Sequence, residues 1–159
     1  MSELSISLAE FETAAETVYS VMSPTPQINW PLLSARTGAQ VWVKHENHTP
    51  TGAFKVRGGV IYVDDLLRRE PSCPGVIAAT RGNHGQSVAC AATRRGVKST
   101  VVVPHGNSTE KNAAMRAQGA EIIEHGMDFQ ESFEHAQDLA TARGLHMFPS
   151  LHKHLVRGV

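Results

Sequence analysis

The chain has 159 residues, which is enough for one domain with a buried core. Its 15 basic and 15 acidic residues cancel, so the charge gives no reason to expect nucleic acid or an anionic membrane surface as a partner. The nine histidines show no metal-ligand spacing and the two cysteines, Cys73 and Cys90, make no disulfide framework, so we expect no metal and a reducing, cytoplasmic location.

The first predicted element is an amphipathic helix over residues 3–22. Apolar side chains recur there at helical spacing, at Leu8, Phe11, Ala15, Val18 and Met22. The acidic start shows no signal peptide, and no apolar run approaches the length of a membrane span, so we expect no membrane association.

The next elements are a short helix over 31–37, a strand over 41–44 and a helix that starts at Ala53 and runs to about Arg69. Pro50 and Gly52 interrupt the chain between that strand and that helix. Thr51 is the expected N-cap of the helix, because its hydroxyl can accept a hydrogen bond from the free amides of the first turn.

From residue 76 onward, short apolar runs alternate with helical patterns. Strands are predicted over 76–79, 100–103, 121–124 and 146–148, and helices over 84–95, 109–118 and 128–143. This alternation predicts an α/β fold, a parallel sheet of about four strands with helices on both faces, preceded by an N-terminal helical segment. The pair His152 and His154 that follows is expected at the surface.

One lysine lies in a chemically unusual position. Lys55 falls close to a helix start, where the helix dipole disfavours an ammonium and favours the free amine that a nucleophile toward an aldehyde needs. Gly52, Gly58 and Gly59 clear side chains from the backbone, as packing against a flat ligand would require, and Phe54 offers an apolar surface beside the amine. The alternative is an ordinary solvated surface lysine.

A second polar stretch, from Thr80 to Ser87, links the end of a strand to the start of a helix. In parallel α/β sheets ligands bind at the carboxyl ends of strands, and free amides at a helix N-terminus suit an anion. A tight turn with an asparagine cap explains the local pattern equally well. The stretch lacks the spacing of the dinucleotide-binding fingerprint, and no basic cluster indicates an RNA-binding loop.

The two stretches together resemble one family. Glu46-Asn47 followed by Thr51-Gly-Ala-Phe-Lys55-x-Arg57-Gly58 is similar to the pyridoxal-phosphate attachment motif of the threonine/serine dehydratases, which have the tryptophan-synthase-β fold type. The resemblance implies pyridoxal 5'-phosphate as the cofactor. It also implies that Lys55 carries the cofactor as a Schiff base, with Phe54 as a cofactor-binding neighbour.

The second stretch resembles the Ser-x-Gly-Asn-His loop of the same family. The resemblance implies that Asn83 contacts the phenolic oxygen of the cofactor. It implies that the substrate carboxylate is bound by the remaining loop positions, Thr80, Arg81, Gly82 and His84.

Arg81 departs from that loop, because the family usually has Ala or Ser at this position. A serine there acts as an acid and base in racemases of the family. A guanidinium does not deprotonate, so Arg81 argues against racemisation. It is suited to holding a carboxylate, although a solvent-facing arginine is an equal alternative.

The resemblance covers nearly the whole chain but only the first half of a family member. It implies that residues 1–50 belong to a mostly absent large domain, that residues 51–148 form the small α/β domain, and that residues 149–159 begin the crossover back. The phosphate cup and the partner of the pyridine nitrogen would lie in the second half. Family members of full length are expected to form homo-oligomers.

The function that the resemblance implies is an ammonia-lyase acting on a small β-hydroxy amino acid, L-threonine or L-serine. The reaction removes the α-proton, eliminates the β-hydroxyl as water and yields a 2-oxo acid and ammonia. Alternatives are a non-catalytic small domain with a partner or regulatory role, and an activity like that of serine racemase or hydroxyaspartate ammonia-lyase. A nucleotide-binding module is disfavoured by the missing fingerprint.

Overall fold

A computed structural model describes residues 6–159 of the chain. The first part contains α1 (Leu8–Tyr19), β1 (Gln27–Asn29), α2 (Pro31–Thr37), β2 (Trp42–Lys44) and a short 3-10 turn over Glu46–His48. The second part contains α3 (Lys55–Arg69), β3 (Val76–Ala79), α4 (Asn83–Arg94), β4 (Ser99–Val103), α5 (Thr109–Ala117), β5 (Ala120–Glu124), α6 (Phe129–Arg143), β6 (His146–Met147) and α7 (Lys153–Arg157).

The main sheet has four parallel strands in the order β5-β4-β3-β6. Side chains of α4 and α5 pack on one face against β4, with Ala89 and Met115 meeting Val101. Ala136 of α6 packs on the opposite face against Ile77 and its neighbours. The sheet therefore carries helices on both faces, which confirms the predicted α/β class.

Helix α3 is the most buried helix of the fold. Apolar side chains along it, Val56, Val60, Val63 and Leu66, join those of β3 and α4 in one cluster. Helical spacing of β-branched residues together with Leu66 gives one wide apolar face, and burying each such side chain contributes about 1.5–3 kcal/mol. The start of α3, which bears Lys55, is thus anchored by the core of the domain.

The N-terminal helix is shorter than predicted. The expected range was residues 3–22, of which residues 3–5 lie outside the described residues, and α1 spans Leu8–Tyr19. Ser7 and Glu10 form a reciprocal capping box that fixes its start. Ala14 and Val18 pack into the α3 cluster, whereas Leu8 is 73% exposed, so only part of the predicted apolar stripe is buried.

The sequence patterns missed one strand. β1 pairs antiparallel with β2, which begins at Trp42, and the register places Ile28 opposite Val43. Three residues are too few for a period-2 pattern to show, and the nearby prolines at 24 and 26 indicate a break rather than a strand.

The prediction that Thr51 caps α3 is wrong. The helix begins at Lys55, two residues later than expected, and Phe54 occupies the N-cap position without a side-chain cap. Thr51 instead donates its hydroxyl to the carbonyl of Ala53 (3.3 Å). The chain turns at Gly52, whose φ of +64° is left-handed, and Thr49 accepts the amide of Ala53 (2.9 Å), so the hydroxyls of this stretch serve the turn.

A bidentate ion pair ties the first part of the chain to the beginning of α3. Arg57 donates to Glu46 from Nε (2.7 Å) and Nη2 (3.0 Å), and Thr25 donates to the same carboxylate (2.6 Å). Burial opposes ionisation of Glu46, but the hydrogen bonds from Arg57 and Thr25 prevail and hold its pKa below the usual 4.5.

No helix among residues 6–159 is both long enough and apolar enough to cross a bilayer.

We predict that Glu46→Gln destabilises the fold. Arg57 exposes only 6% of its side chain and would lose its charged partner, while Glu46 remains 22% exposed. The expected cost is about 2 kcal/mol, below that of breaking a fully buried pair. Urea unfolding at pH 7 measures it. Because the folded pKa of Glu46 is lowered, the difference between wild type and variant should shrink as the pH falls below 4.5.

The matched control is Glu12→Gln on the exposed side of α1, where the carboxylate has no hydrogen bond or ion pair within the described residues. An unfolding midpoint of Glu46→Gln equal to that of Glu12→Gln would contradict the structural role of the pair.

Candidate active site

The site begins where two helices start side by side. Lys55 is the first residue of α3 and Asn83 the first residue of α4. Ser87, one turn into α4, donates its hydroxyl to the backbone carbonyl of Lys55 (2.7 Å) and also faces Gly59, one turn into α3. The two helices therefore run parallel, with their N-terminal ends at the same edge of the domain.

Gly58 and Gly59 make this packing possible. A Cβ on Gly59 would collide with Ser87, and a Cβ on Gly58 would lie 2.9 Å from the Cα of Leu155 in α7. The sequence suggested that these glycines clear space for a flat ligand. In the structure the space beside both glycines is filled largely by the protein's own α4 and α7, and Gly58 also lines the cavity next to Lys55.

Lys55 opens into a cavity of about 140 Å³. Phe54 and His84 contribute to its lining on the helix side, and the opposite wall is formed by the C-terminal segment through Ser150, Leu151, Leu155, Val156 and Val159. The amine of Lys55 lies 5.4 Å from the ring centroid of Phe54. The structure thus places the amine beside an apolar surface, as predicted, with Lys55 itself partly buried.

Larger open clefts exist elsewhere. One of about 480 Å³ lies between α1 and α3, with the ion pairs of Asp64–Arg95 and Glu10–Arg157 in its lining. It does not include Lys55. We therefore place the site by chemistry, at the smaller cavity that contains the amine.

His84 is a half-buried ionisable group of this cavity. Its ring packs edge-on against Phe148, with centroids 5.7 Å apart, and its Nε2 is buried without a hydrogen-bond partner among residues 6–159. Burial, and secondarily the charge of Lys55, lowers the pKa of His84 to about 4. The imidazole is therefore neutral at pH 7.

The remaining predicted residues surround the start of α4. Thr80 is buried and its hydroxyl accepts the amide of Gly82 (3.3 Å), which shapes the turn between β3 and α4. Gly82 is covered by the side chain of Lys111, to which an added Cβ would approach within 3.1 Å. Arg81 and Asn83 are exposed, and neither side chain has a hydrogen bond to another described residue.

The structure therefore brings Lys55, Phe54 and His84 to one cavity and leaves Arg81 and Asn83 exposed at the neighbouring helix start. This set fits a cofactor that carries an aldehyde on an aromatic ring. It offers a primary amine for the aldehyde, an apolar surface for the ring and an unengaged amide. The buried, unpartnered Nε2 of His84 adds one polar group whose hydrogen bonding the protein leaves open.

The sequence did not reveal two contributors to the site. Ser87 fixes the backbone of Lys55 from α4, and the segment after residue 149 forms the opposite cavity wall. From the local sequence, a serine four residues after Asn83 looks like an ordinary small residue of a helix. Only the pair Gly58-Gly59 hinted at the close approach of other backbone.

We predict that the imidazole of His84 remains neutral down to about pH 4. A ¹H–¹⁵N NMR titration of the histidine rings, with the His84 signals assigned from the spectrum of His84→Gln, measures its midpoint. The exposed ring of His105 in the same spectra provides the internal comparison. A midpoint for His84 at or above the ordinary 6.5 would show that the ring is not desolvated as described.

Comparison with known proteins shows which family the chain belongs to. Residues 18–158 match the family described as pyridoxal-phosphate dependent enzyme. The biosynthetic L-threonine dehydratase of Pasteurella multocida is 36% identical over 132 residues, which are 83% of this chain and 26% of that protein. The match thus spans about a quarter of the length of that relative.

Two solved structures share the fold. A crystal structure of a pyridoxal 5'-phosphate-dependent aspartate racemase superposes with a TM-score of 0.90 at 31% identity, over 99% of this chain and 50% of that one. The processed form of threonine deaminase isoform 2 from Solanum lycopersicum superposes with a TM-score of 0.83 at 29% identity. The match covers 98% of this chain and 47% of that one. The four-stranded parallel sheet is thus that of the tryptophan-synthase-β-like enzymes. The chain belongs to the family of pyridoxal-phosphate-dependent enzymes, and pyridoxal phosphate is its cofactor.

Proposed function

We propose that the chain is the lysine-bearing part of an ammonia-lyase that deaminates a small β-hydroxy amino acid, L-threonine or L-serine. The observation that carries the proposal is the position of Lys55, whose amine opens into a cavity at the paired starts of α3 and α4. The relatives named threonine dehydratase and threonine deaminase support this substrate class.

The roles divide among a few residues. When bound, pyridoxal phosphate supplies an electron sink for a carbanion at the substrate α-carbon. Lys55 would carry the cofactor, and its Nζ, once free, would take the α-proton and could pass it to the departing β-hydroxyl, which would then leave as water. Phe54 flanks the amine, and the exposed amide of Asn83 would donate to the ring oxygen of the bound cofactor.

The turn before α4 is proposed to hold the substrate carboxylate. Backbone amides at a helix start are free to donate, and the hydroxyl of Thr80 already fixes the amide of Gly82 within this turn. His84 contributes through its neutral ring in the cavity and not as a cation, because burial, and secondarily the neighbouring Lys55, lowers the pKa of its imidazole.

Arg81 favours the lyase over a racemase. A racemase needs a second acid and base on the face of the substrate opposite the lysine, and a guanidinium keeps its protons. One structural neighbour is an aspartate racemase, so the choice between lyase and racemase has to be made for a chain with this fold. A reaction followed for both 2-oxo acid and D-amino acid tests it, and formation of D-serine at a rate matching that of pyruvate would contradict the lyase.

The proposal concerns the assembled enzyme, since the chain spans about half the length of the solved chains it matches. We propose residues 51–148 as the small domain, with residues 1–50 and 149–159 contributing to a large domain, in a cytoplasmic homo-oligomer. Exposed apolar side chains on α1, α2 and β2, including Leu8, Leu32 and Trp42, support burial by further polypeptide.

We predict that Lys55 is the lysine that carries the cofactor. Loading the protein with pyridoxal phosphate, reducing it with borohydride and mapping the peptides should place the label on Lys55. Lys55→Ala should abolish the label and keep the fold, because a partly exposed lysine contributes little to stability. A dominant label on Lys44, Lys98 or Lys111 would overturn the assignment.

A second prediction concerns Asn83. A hydrogen bond to a charged oxygen contributes roughly 1.5–3 kcal/mol, so Asn83→Ala should weaken cofactor retention by about ten- to a hundredfold in the full-length enzyme. Equilibrium dialysis measures the retention. Gln137→Ala, which alters an exposed amide on α6 away from the cavity, serves as the matched control. Equal retention by the two variants would count against a cofactor contact of Asn83.

A further inference from the structure

A cleft of about 480 Å³ lies between α1 and α3 and does not include Lys55. Ala14 of α1 and Ile61 and Leu67 of α3 contribute its apolar surface. Clefts of about 300–1,000 Å³ accommodate small molecules, which they hold by apolar contacts and a few placed polar groups. We call it the α1–α3 cleft, and its polar groups indicate which class of molecule it suits.

Positive charge exceeds negative charge in the lining of the α1–α3 cleft. The charged groups of the lining are two carboxylates and three guanidinium groups, from Glu10, Asp64, Arg68, Arg95 and Arg157. A guanidinium does not deprotonate in proteins. One positive charge of the lining is therefore unmatched by a carboxylate of the lining, which favours a ligand with one negative charge.

The guanidinium groups differ in how firmly the protein holds them. Arg95 donates to both carboxylate oxygens of Asp64, with Nε at 2.6 Å. Arg68 makes only long contacts within the described residues, 3.4 Å from Nε to the carbonyl of Asp64 and 3.5 Å from Nη2 to Asp65. Asp65 lies closer to Arg69, at 2.9 Å. Arg68, whose side chain is 71% exposed, is therefore free to turn towards a ligand.

Arg157 is also incompletely satisfied by the protein. Its Nη1 lies 3.4 Å from the half-exposed Glu10, and its Nη2 contacts His154, which is partly buried and not on the open surface expected from the sequence. Its Nε is buried and has no hydrogen-bond partner among residues 6–159, although such donors are normally bonded. A ligand carboxylate beside Nη1 would supply the short charge-assisted hydrogen bond that Glu10 does not.

The polar groups of the cleft favour a carboxylate. A guanidinium presents its donors in a planar fork that matches the two oxygens of a carboxylate. The hydroxyls of Thr13 and Thr17 also line the cleft, but they donate to backbone carbonyls one turn earlier and so offer a ligand no donor. A phosphate monoester, with about two negative charges at pH 7, would exceed the single unmatched positive charge.

We propose that the α1–α3 cleft binds a small organic monocarboxylate, with its carboxylate on Arg68 and Arg157 and its hydrocarbon chain on Ile61 and Leu67. The two arginines lie in one network, because Asp65 is 3.5 Å from Arg68 and 3.1 Å from His154, which in turn contacts Arg157. The proposal does not depend on the proposed function, since neither arginine lines the Lys55 cavity.

Arg157 connects the cleft to the Lys55 cavity. It lies in α7, and Leu155 and Val156 of the same helix line that cavity. A carboxylate bound by Arg157 and Arg68 would join α7 to α3 through one further contact. We therefore expect an occupied cleft to stabilise α7 in its position beside Lys55.

Titration of the 159-residue chain with sodium butyrate, with the ionic strength held constant by sodium chloride, tests the proposal. In ¹H–¹⁵N NMR spectra the Nε–Hε signals of Arg68 and Arg157 should shift in a saturable way, and that of Arg116, exposed on α5, should not. Butyramide has the same shape without the charge and should give no saturable shift. With butyrate at about ten times its Kd, the amides of Leu155 and Val156 should exchange about tenfold more slowly.

Two variants separate the site from a general salt effect. Arg68→Gln changes a side chain that is 71% exposed, so it should keep the fold and weaken butyrate binding about threefold. Arg157→Gln removes a charge that is only 17% exposed and should weaken binding about tenfold. Arg116→Gln is the matched control and should bind butyrate like the wild type.

Three outcomes would overturn the proposal: shifts that rise linearly with butyrate concentration, equal shifts with butyramide, or unchanged affinity in Arg68→Gln. The last outcome stays readable even if Arg157→Gln fails to fold, because Arg68 is exposed. None of these measurements involves Lys55, the cofactor or turnover, so failure of this proposal is distinct from failure of the proposed function.

Discussion

The close approach of three backbone segments around Gly58 and Gly59 is the constraint on which the site depends. Because these residues have no side chain, Ser87 of α4 reaches the carbonyl of Lys55 and the backbone of Leu155 lies directly on α3. A methyl group at either position would collide with backbone or with Ser87, and so would separate the elements that surround the lysine. The pair thus sets the shape of the cavity before any ligand enters it.

The chemistry of the cavity follows from what is buried beside the amine. His84 lies inside it without a partner for Nε2, and burial keeps its ring neutral. A neutral ring adds no charge beside the amine of Lys55. The core side of α3 is packed tightly, whereas Phe54 and Lys55 at its start remain partly accessible, so the reactive end of a rigid helix faces open space.

Much of the fold could be predicted because strong periodic patterns alternate after residue 76. The order of strands and helices, the parallel sheet and the location of Lys55 at a helix start all follow from local pattern. The predictions that failed concerned features that depend on contacts between residues distant in the sequence. Thr51 looks like an N-cap in the sequence, but the left-handed turn at Gly52 shifts the helix start to Lys55. Residues 27–29 form a strand only because β2 pairs with them.

Only part of the candidate site could be predicted, because the rest of it also depends on contacts between residues that are distant in the sequence. Motif resemblance pointed to Lys55 and the Thr80–His84 turn as candidates, but no local pattern indicates that α7 closes over Gly58 or that His152 caps α7. Histidines two residues apart near a polar stretch look like surface residues, and their burial becomes apparent only when α3 and α7 are seen together.

The most direct test of the central claim is a crystal structure of the protein after loading with pyridoxal phosphate and reduction with borohydride. The account predicts electron density continuous from Nζ of Lys55, with the cofactor beside Phe54 and His84 and with Ser87 still bonded to the carbonyl of Lys55. Density continuous with a different lysine, or cofactor bound in the cleft between α1 and α3, would contradict it.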